Sequence, residues 1–276
     1  SHTRTGVLTT ISDSALRRLP SLDRDFTDFV ALTPQVSTTQ SNGGLSGGGV
    51  NNRYNQVQID GTSETDLFGL GSTGQPGGQA NGRSIGIESV KEYQVLLAPF
   101  DVRHGNFAGL LLNAVTKNGT NDFHGSAYYY GRNQSMTRSQ DYINNFSKTQ
   151  YGFTVSGPLV KDKALFFLNP EWTTYHTPAT GVYVGGPGVN FTNSDVSAVQ
   201  SALQSYGMTP GNGSAVTLQN PLTNVFARLD FPDLPYNSSL VLRYNYGSAT
   251  NGALSRGTTG TNPSLGLTSN QYQYAS

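Results

Sequence analysis

Gln150-Tyr151-Gly152-Phe153-Thr154-Val155-Ser156-Gly157, followed after a short gap by Ala164-Leu165-Phe166-Phe167-Leu168-Asn169-Pro170-Glu171-Trp172-Thr173, is the stretch that decides the fold. Tyr151, Phe153 and Val155 fall on one face, and Gly152, Thr154 and Ser156 on the other, the period of two that a strand imposes. The second segment sets Ala164, Phe166, Leu168 and Trp172 against Asn169 and Glu171. The same alternation recurs on both sides. Upstream lies 123–130. Downstream, 225–231 opposes Ala227, Leu229 and Phe231 to Arg228 and Asp230, and 239–246 opposes Leu240, Leu242, Tyr244 and Tyr246 to Ser239, Arg243 and Asn245. A sixth segment, 271–274, follows.

The gaps between these segments alternate in length. Residues 131–149 are long, 158–163 short, 174–224 very long, 232–238 short and 247–270 long. Alternation alone also fits a soluble antiparallel sheet with one wet face. Segregation of tight turns to one end and large loops to the other favours a transmembrane β-barrel, which has short periplasmic turns and long extracellular loops. Composition agrees. Only 12% of the residues are charged and 35% hydrophobic, while 11% are aromatic, with Trp172 and several tyrosines near strand ends where an interfacial girdle would lie. No apolar run is long enough for a membrane helix, which leaves strand-built membrane proteins open. The absence of cysteine removes disulfides and thiolate zinc sites, and 17 basic against 17 acidic residues argue against a nucleic-acid partner.

The first part has a different character. Ser12 and Asp13 are placed to cap a helix over 14–19, and a second helical turn is expected within 23–32 through Phe26, Phe29 and Val30. A Gly/Ser/Asn-rich stretch, 41–52, precedes an alternating strand over 54–59 that ends at Asp60-Gly61. A second glycine-rich loop, 62–82, leads to a helical turn passing into a strand around 93–97, and 110–115 reads as a buried strand. The expected organisation is an α+β domain over 1–121, followed over 122–276 by antiparallel transmembrane β-barrel strands forming a partial barrel.

Four pieces in this order carry a family resemblance. They are Ile59-Asp60-Gly61; Ser89-Val90-Lys91-Glu92-Tyr93-Gln94-Val95; His104-Gly105-Asn106-Phe107-Ala108-Gly109; and Asn113-Ala114-Val115-Thr116-Lys117-Asn118-Gly119-Thr120-Asn121-Asp122-Phe123-His124-Gly125. Together they resemble the plug-to-barrel passage of TonB-dependent outer-membrane receptors, and with Leu19-Pro20 and Arg24-Asp25-Phe26 they are most similar to the Oar-like branch. The resemblance runs from about Leu16 onward and implies a plug inside a large barrel, of which this chain would be the amino-terminal fragment. It implies a bacterial outer-membrane location, with TonB, outer-membrane lipid and an extracellular substrate as partners. No segment before Leu16 matches a TonB box, so TonB would engage a segment missing or unrecognised here. Leu110-Leu111-Leu112 stands where the family more often has a Gly-Val-Ile-like stretch.

Within the motifs, Asp60 and Gly61 are expected to end a strand in a tight turn. Gly105 and Gly109 would let backbones approach closely, and Lys117 and Gly119 lie in the polar turn handing plug to wall. The loops 42–54 and 62–83 are expected to share one end of the plug, which in the family faces the extracellular vestibule. Asn51, Arg53, Tyr54, Asp66, Phe68, Asn81 and Arg83 are the candidate contacts for a peptide or glycan. Arg228, Asp230, Arg243 and Asn245 are expected to face the lumen and hydrate the plug–wall interface.

No catalytic constellation emerges, and neither an enzyme nor a cofactor is expected. Gly44-Leu45-Ser46-Gly47-Gly48 lacks the strand and helix that a nucleophile elbow needs, and Gly69-Leu70-Gly71-Ser72-Thr73-Gly74 lacks a βαβ unit. His2, His104, His124 and His176 have no metal-ligand spacing. A second functional class is a surface or adhesion protein using the barrel as an anchor and the loop 174–224 as its working part.

Overall fold

A computed structural model describes residues 7–19, 21, 24–37, 44–66, 74–80, 82–97, 105, 107–137, 145–186, 189–190, 192–211, 213–256 and 267–275. In chain order the first part holds β1 (Val7–Ser12), α1 (Asp13–Arg18), α2 (Phe26–Val30), a two-residue ladder of β2 (Val36–Ser37) with β3 (Ser46–Gly47), β4 (Gln56–Ile59), β5 (Thr62–Ser63), β6 (Val90–Leu97) and β7 (Leu110–Thr116). The main sheet runs β1-β6-β7-β4-β5, with β4 and β7 parallel and the other pairs antiparallel.

Local chemistry accounts for these elements. The Asp25 side chain accepts the Thr27 amide and starts α2, whose Phe26, Phe29 and Val30, spaced for one helix face, are buried. Leu110-Leu111-Leu112 is buried throughout because β7 lies inside the sheet and is covered on both faces. Leu110 and Leu112 join the core with Phe29, Val57, Ile59, Val90 and Val95. The edge strand β1 was not anticipated. It pairs residue by residue with β6, from Val7 opposite Leu97 to Ser12 opposite Glu92.

The second part contains β8 (His124–Asn133), β9 (Ser147–Val160), β10 (Ala164–Pro178), the two-residue β11 (Thr180–Gly181), α3 (Asn193–Ser205), β12 (Thr217–Leu234), β13 (Ser238–Arg256) and β14 (Leu267–Ala275). Strands β8, β9, β10, β12, β13 and β14 pair each with the next, all antiparallel, in one up-and-down meander. The fold is therefore an α+β unit followed by a partial antiparallel barrel. All six expected strands are present and all are longer than expected. β12 has 18 residues and β13 has 19, more than the roughly 9–11 that a membrane crossing would need.

β9 to β10 and β12 to β13 are joined by tight turns, whereas the long connections leave from the opposite end. Leu240, Leu242 and Tyr244 are 45%, 49% and 61% exposed, as expected of wall positions that face away from the core. Tyr151 stacks on Trp172 on the outward side, with ring centroids 5.6 Å apart.

Three expectations are revised. The inward side of the wall is not wholly polar: Phe167 and Phe226 turn inward, pack 6.1 Å apart and join the core of the amino-terminal sheet. The 174–224 connection is not all loop, because Thr192 and Asp195 form a reciprocal capping box that starts α3. The hydrogen bonds from the Thr192 hydroxyl and amide hold the exposed Asp195 carboxyl below its usual value. Finally, the strand expected over 54–59 begins only at Gln56, because Tyr54 closes a 3-10 turn over 52–54 whose start is fixed by the Asn51 side chain accepting the Arg53 amide.

Candidate plug–wall interface

The densest polar contact between the two parts is built on Asp60. Strands β4 and β7 run parallel and end together, so the chain leaving β4 delivers Asp60 beside Thr116. Asp60 Oδ1 accepts the Thr116 amide at 2.8 Å and Oδ2 accepts the Thr116 hydroxyl at 2.7 Å. Gly61 follows with φ +80°, a turn conformation that a side chain would strain, and its amide donates to Asn113 Oδ1.

The wall supplies the cations. Arg243 Nη1 donates to Asp60 Oδ2 at 2.9 Å and to the Ile59 carbonyl at 2.7 Å. Arg228 Nη1 donates to Thr116 Oγ1 at 2.7 Å and lies 3.5 Å from Asp60 Oδ2, while its Nε and Nη2 grip Asp230. Arg228 and Arg243 stand directly opposite each other across β12 and β13. Like charges directly opposite destabilise a ladder. Asp230 answers one charge from within the wall and Asp60 answers the other from outside it.

A second contact lies along β10. The 3-10 turn Ile87–Ser89 meets the wall where Ser89 Oγ donates to Asn169 Oδ1 at 2.8 Å. Asn169 in turn donates to Tyr128 Oη, and Tyr128 donates to Glu171 Oε2 at 3.0 Å. Glu171 is 1% exposed, and its other oxygen has no hydrogen-bond partner among the described residues. Gly86 makes the approach possible, since a Cβ there would sit 3.3 Å from Asn169 and Glu171. Elsewhere Arg24 pairs with Glu88 and covers the Tyr130 ring at 3.8 Å, and Arg83 Nε lies 3.1 Å from Asp25.

The expected motif residues separate under the structure. Gly119 is a true close approach, for an added Cβ would fall 2.6 Å from the Phe166 backbone nitrogen and oxygen. Gly109 likewise faces the buried Asn55 side chain, which bonds the Leu45 carbonyl and the Leu110 amide. Gly105 corrects the expectation: it is exposed, and a Cβ there would meet nothing within 4 Å among the described residues, so no packing among them requires glycine. Lys117 pairs with Asp13 at 3.1 Å, and Asn121 bonds Asp162 in the β9–β10 turn, pinning the hand-over to the wall.

The loop residues divide too. Asn51, Arg53 and Tyr54 lie exposed on the turn before β4, and the Tyr54 carbonyl accepts the Ala108 and Gly109 amides. Asp66 returns toward them because β5 doubles back on β4. Its amide bonds the Gly74 carbonyl, and Gly74 lies near Asn52. Arg83 instead turns back onto the segment before α2, donating to the Arg24 carbonyl at 3.0 Å and pairing with Asp25. Phe68, Asn81 and His104 lie outside the described residues. Asn245 faces inward but takes no part in the Asp60 cluster, and its Oδ1 has no partner among the described residues. Ser46 is buried and donates to the Val50 carbonyl.

The sequence model described as "Outer membrane beta barrel domain" matches residues 115–274, from the end of β7 to the last strand. The chain belongs to this family of outer-membrane β-barrel domains. The TonB-dependent transporter Oar of Myxococcus xanthus is 28% identical over 169 residues, covering 56% of this chain and 15% of that protein. A probable TonB-dependent siderophore receptor, PirA of Acinetobacter baumannii, is 28% identical over 167 residues, covering 55% and 21%. The chain thus spans about a fifth or less of the length of these relatives. Among solved structures, the outer membrane transporter YddB of Escherichia coli superposes with a TM-score of 0.59 at 14% identity, over 90% of this chain and 33% of that one. The siderophore receptor PirA of Pseudomonas aeruginosa gives 0.55 at 16%, over 89% and 34%. These establish the fold. The chain is thus a bacterial outer-membrane β-barrel protein that is similar to TonB-dependent transporters and receptors over part of their length.

Sequence reasoning had no view of Thr116, Glu88, Asn169 or Tyr128 as interface residues. The polar positions of the inward faces held the signal for Asn169 and Tyr128. Thr116 and Glu88 needed the three-dimensional pairing.

Proposed function

We propose that residues 1–121 are a plug and 122–276 the opening strands of a TonB-dependent receptor that binds an extracellular substrate and admits it when the plug is displaced. The observation that supports this is the Asp60 cluster, in which the wall's paired Arg228 and Arg243 close on a carboxylate of the amino-terminal sheet. Such a contact is strong enough to seat the plug and, being a set of a few ion pairs, can be undone without unfolding the wall. The chain is not an enzyme; its relatives are named as transporters and receptors. In this reading the substrate is a peptide or glycan, met first by Asn51, Arg53, Tyr54, Asp66, Phe68, Asn81 and Arg83. Lipid contacts Leu240, Leu242 and Tyr244, and TonB pulls on a segment outside the recognisable motifs. The test is fractionation of the protein with heat-modifiable migration, together with substrate uptake in cells with and without TonB. A soluble, heat-insensitive product, or uptake indifferent to TonB, rejects the proposal.

The capped helix α3 favours a second reading, because an ordered helix in the 179–216 connection offers a surface for a partner cell or matrix. Deleting 182–213 discriminates: adhesion lost with uptake retained supports the anchor reading.

A further inference from the structure

The tight turn between β12 and β13 breaks the local rule for its own geometry. Tyr236 has φ +66° and ψ 32°, and Asn237 follows with φ +53°. Tight hairpin turns place Asn or Gly at such left-handed positions, and a bulky aromatic residue there is strained. Asn237 obeys the rule and Tyr236 does not. The Tyr236 side chain is 101% exposed, so packing among the described residues does not offset the strain. Strain of this kind persists where the side chain has a role outside the fold.

The level of this turn can be read from the ladders. Even-numbered positions of β10 and β13 face outward, because Glu171 is buried and Arg243 reaches Asp60 on the inner side. Trp172 and Tyr246 are the last outward Trp or Tyr before the long connections, and each lies eight residues from the short-turn end of its strand, at Ala164 and Ser238. Eight residues span about 26 Å along a strand and, at the usual barrel tilt of about 35–45°, about 20 Å along the membrane normal, near the height of an outer-membrane apolar band. The two hairpins are staggered in one sense at both ends. Trp172 pairs with Thr223 and Tyr246 with Val225, a step of two residues toward the short-turn end. Leu165 pairs with Asp230, so the turn closed by Leu234 and Ser238 reaches about three residues further than the one closed by Val160 and Ala164. Steps of about 7–10 Å across two strands are what that tilt requires, so both turns come to one level of the membrane.

We propose that Tyr236 is an interfacial anchor, its ring seated among the phospholipid headgroups of the periplasmic leaflet. Tyrosine suits that layer because its ring is apolar and its hydroxyl polar. The two turns carry exposed Lys161 and Lys163 against exposed Asp162 and Asp233. Cations and anions are equal in number, which fits a headgroup bearing both signs, such as phosphatidylethanolamine, rather than an anionic one. The inference rests on the barrel family and is independent of any substrate and of TonB.

The test uses the full-length protein extracted from outer membranes and reconstituted into vesicles of phosphatidylethanolamine and phosphatidylcholine. In Tyr236→Trp, the emission added relative to wild type is quenched most by lipid brominated close to the headgroup and least by lipid brominated near the chain end. Tyr236→Asn relieves the left-handed strain, so without a lipid role the guanidinium midpoint of unfolding rises. Loss of the anchor reverses the sign: the midpoint in vesicles falls, while Tyr236→Trp keeps that of wild type. Replacing half of the phosphatidylethanolamine by phosphatidylglycerol leaves these differences unchanged. The proposal is overturned if the added emission is unquenched or is quenched most by deep bromines, if Tyr236→Asn unfolds at the wild-type midpoint or above it, or if dependence on Tyr236 appears only with phosphatidylglycerol. Heat-modifiable migration reports insertion of each variant, and the quenching result decides alone if Tyr236→Asn does not insert.

Discussion

Replacing Asp60 by Asn removes one negative charge from the plug–wall contact and leaves its shape intact. Asparagine tolerates the left-handed backbone found here, φ +48°, and the Asp60 amide keeps its bond to the Ala114 carbonyl. What is lost is the charge component of the Arg243 and Arg228 contacts and part of the Thr116 bonds. The carboxylate is 25% exposed and the two guanidiniums 18% and 16%, so the cost lies below the 3–5 kcal/mol of a fully buried broken pair. Weighting for that partial solvation gives about 2 kcal/mol. The opposed arginines then repel across β12 and β13, so the loss falls on plug seating and wall together. Hydrogen exchange of the Thr116 and Val115 amides measures it. A loss of about 2 kcal/mol in local opening speeds exchange about 30-fold. A double-mutant cycle with Arg243→Met should recover part of the loss as coupling. Exchange within about twofold of wild type, or strict additivity in the cycle, would refute the view that Asp60 seats the plug through charge.

Three further outcomes follow from described contacts. Gly119→Ala should cost about 1–3 kcal/mol in thermal melts, because the new methyl meets Phe166 backbone, while Gly105→Ala should stay within about 0.5 kcal/mol. Burial raises the Glu64 carboxyl above its ordinary value, against an opposing pull from Arg243. The folded chain then holds a proton that the unfolded chain releases, so stability falls as pH rises from the ordinary value of 4.5 through the raised one; Glu64→Gln should be the more stable protein at neutral pH and lose its advantage in acid, as read from melts across pH. Glu171→Gln should melt at the same temperature as wild type or higher, since it removes a buried charge with one unpartnered oxygen and keeps the side-chain oxygen that accepts from Tyr128; a sharp fall would show that the carboxylate has a partner beyond the described residues.

The wall was legible because each strand repeats one binary rule over many residues, and a period of two survives uncertainty about where a strand stops. Its ends were not legible: β12 and β13 continue through Pro221 and Gly252, residues that read as breakers when neighbours are unknown. The inward placement of Arg228, Asp230 and Arg243 could be read from alternation. The engagement of Asp60 by the two arginines could not, because the partners are separated by 168 and 183 residues. β1 was missed for the same reason, since an edge strand of modest hydrophobicity declares itself only through its partner. Gly105 and Gly119 read alike in sequence. Only the neighbouring strand distinguishes the one that backbone crowds from the one that faces open space.

The facing guanidiniums on β12 and β13 also bear on what the wall is by itself. Asp230 answers Arg228 from its own strand, but among the described residues the carboxylate bonded to Arg243 comes from the amino-terminal sheet. Electroneutrality at this level is therefore completed only when filling and shell are assembled together.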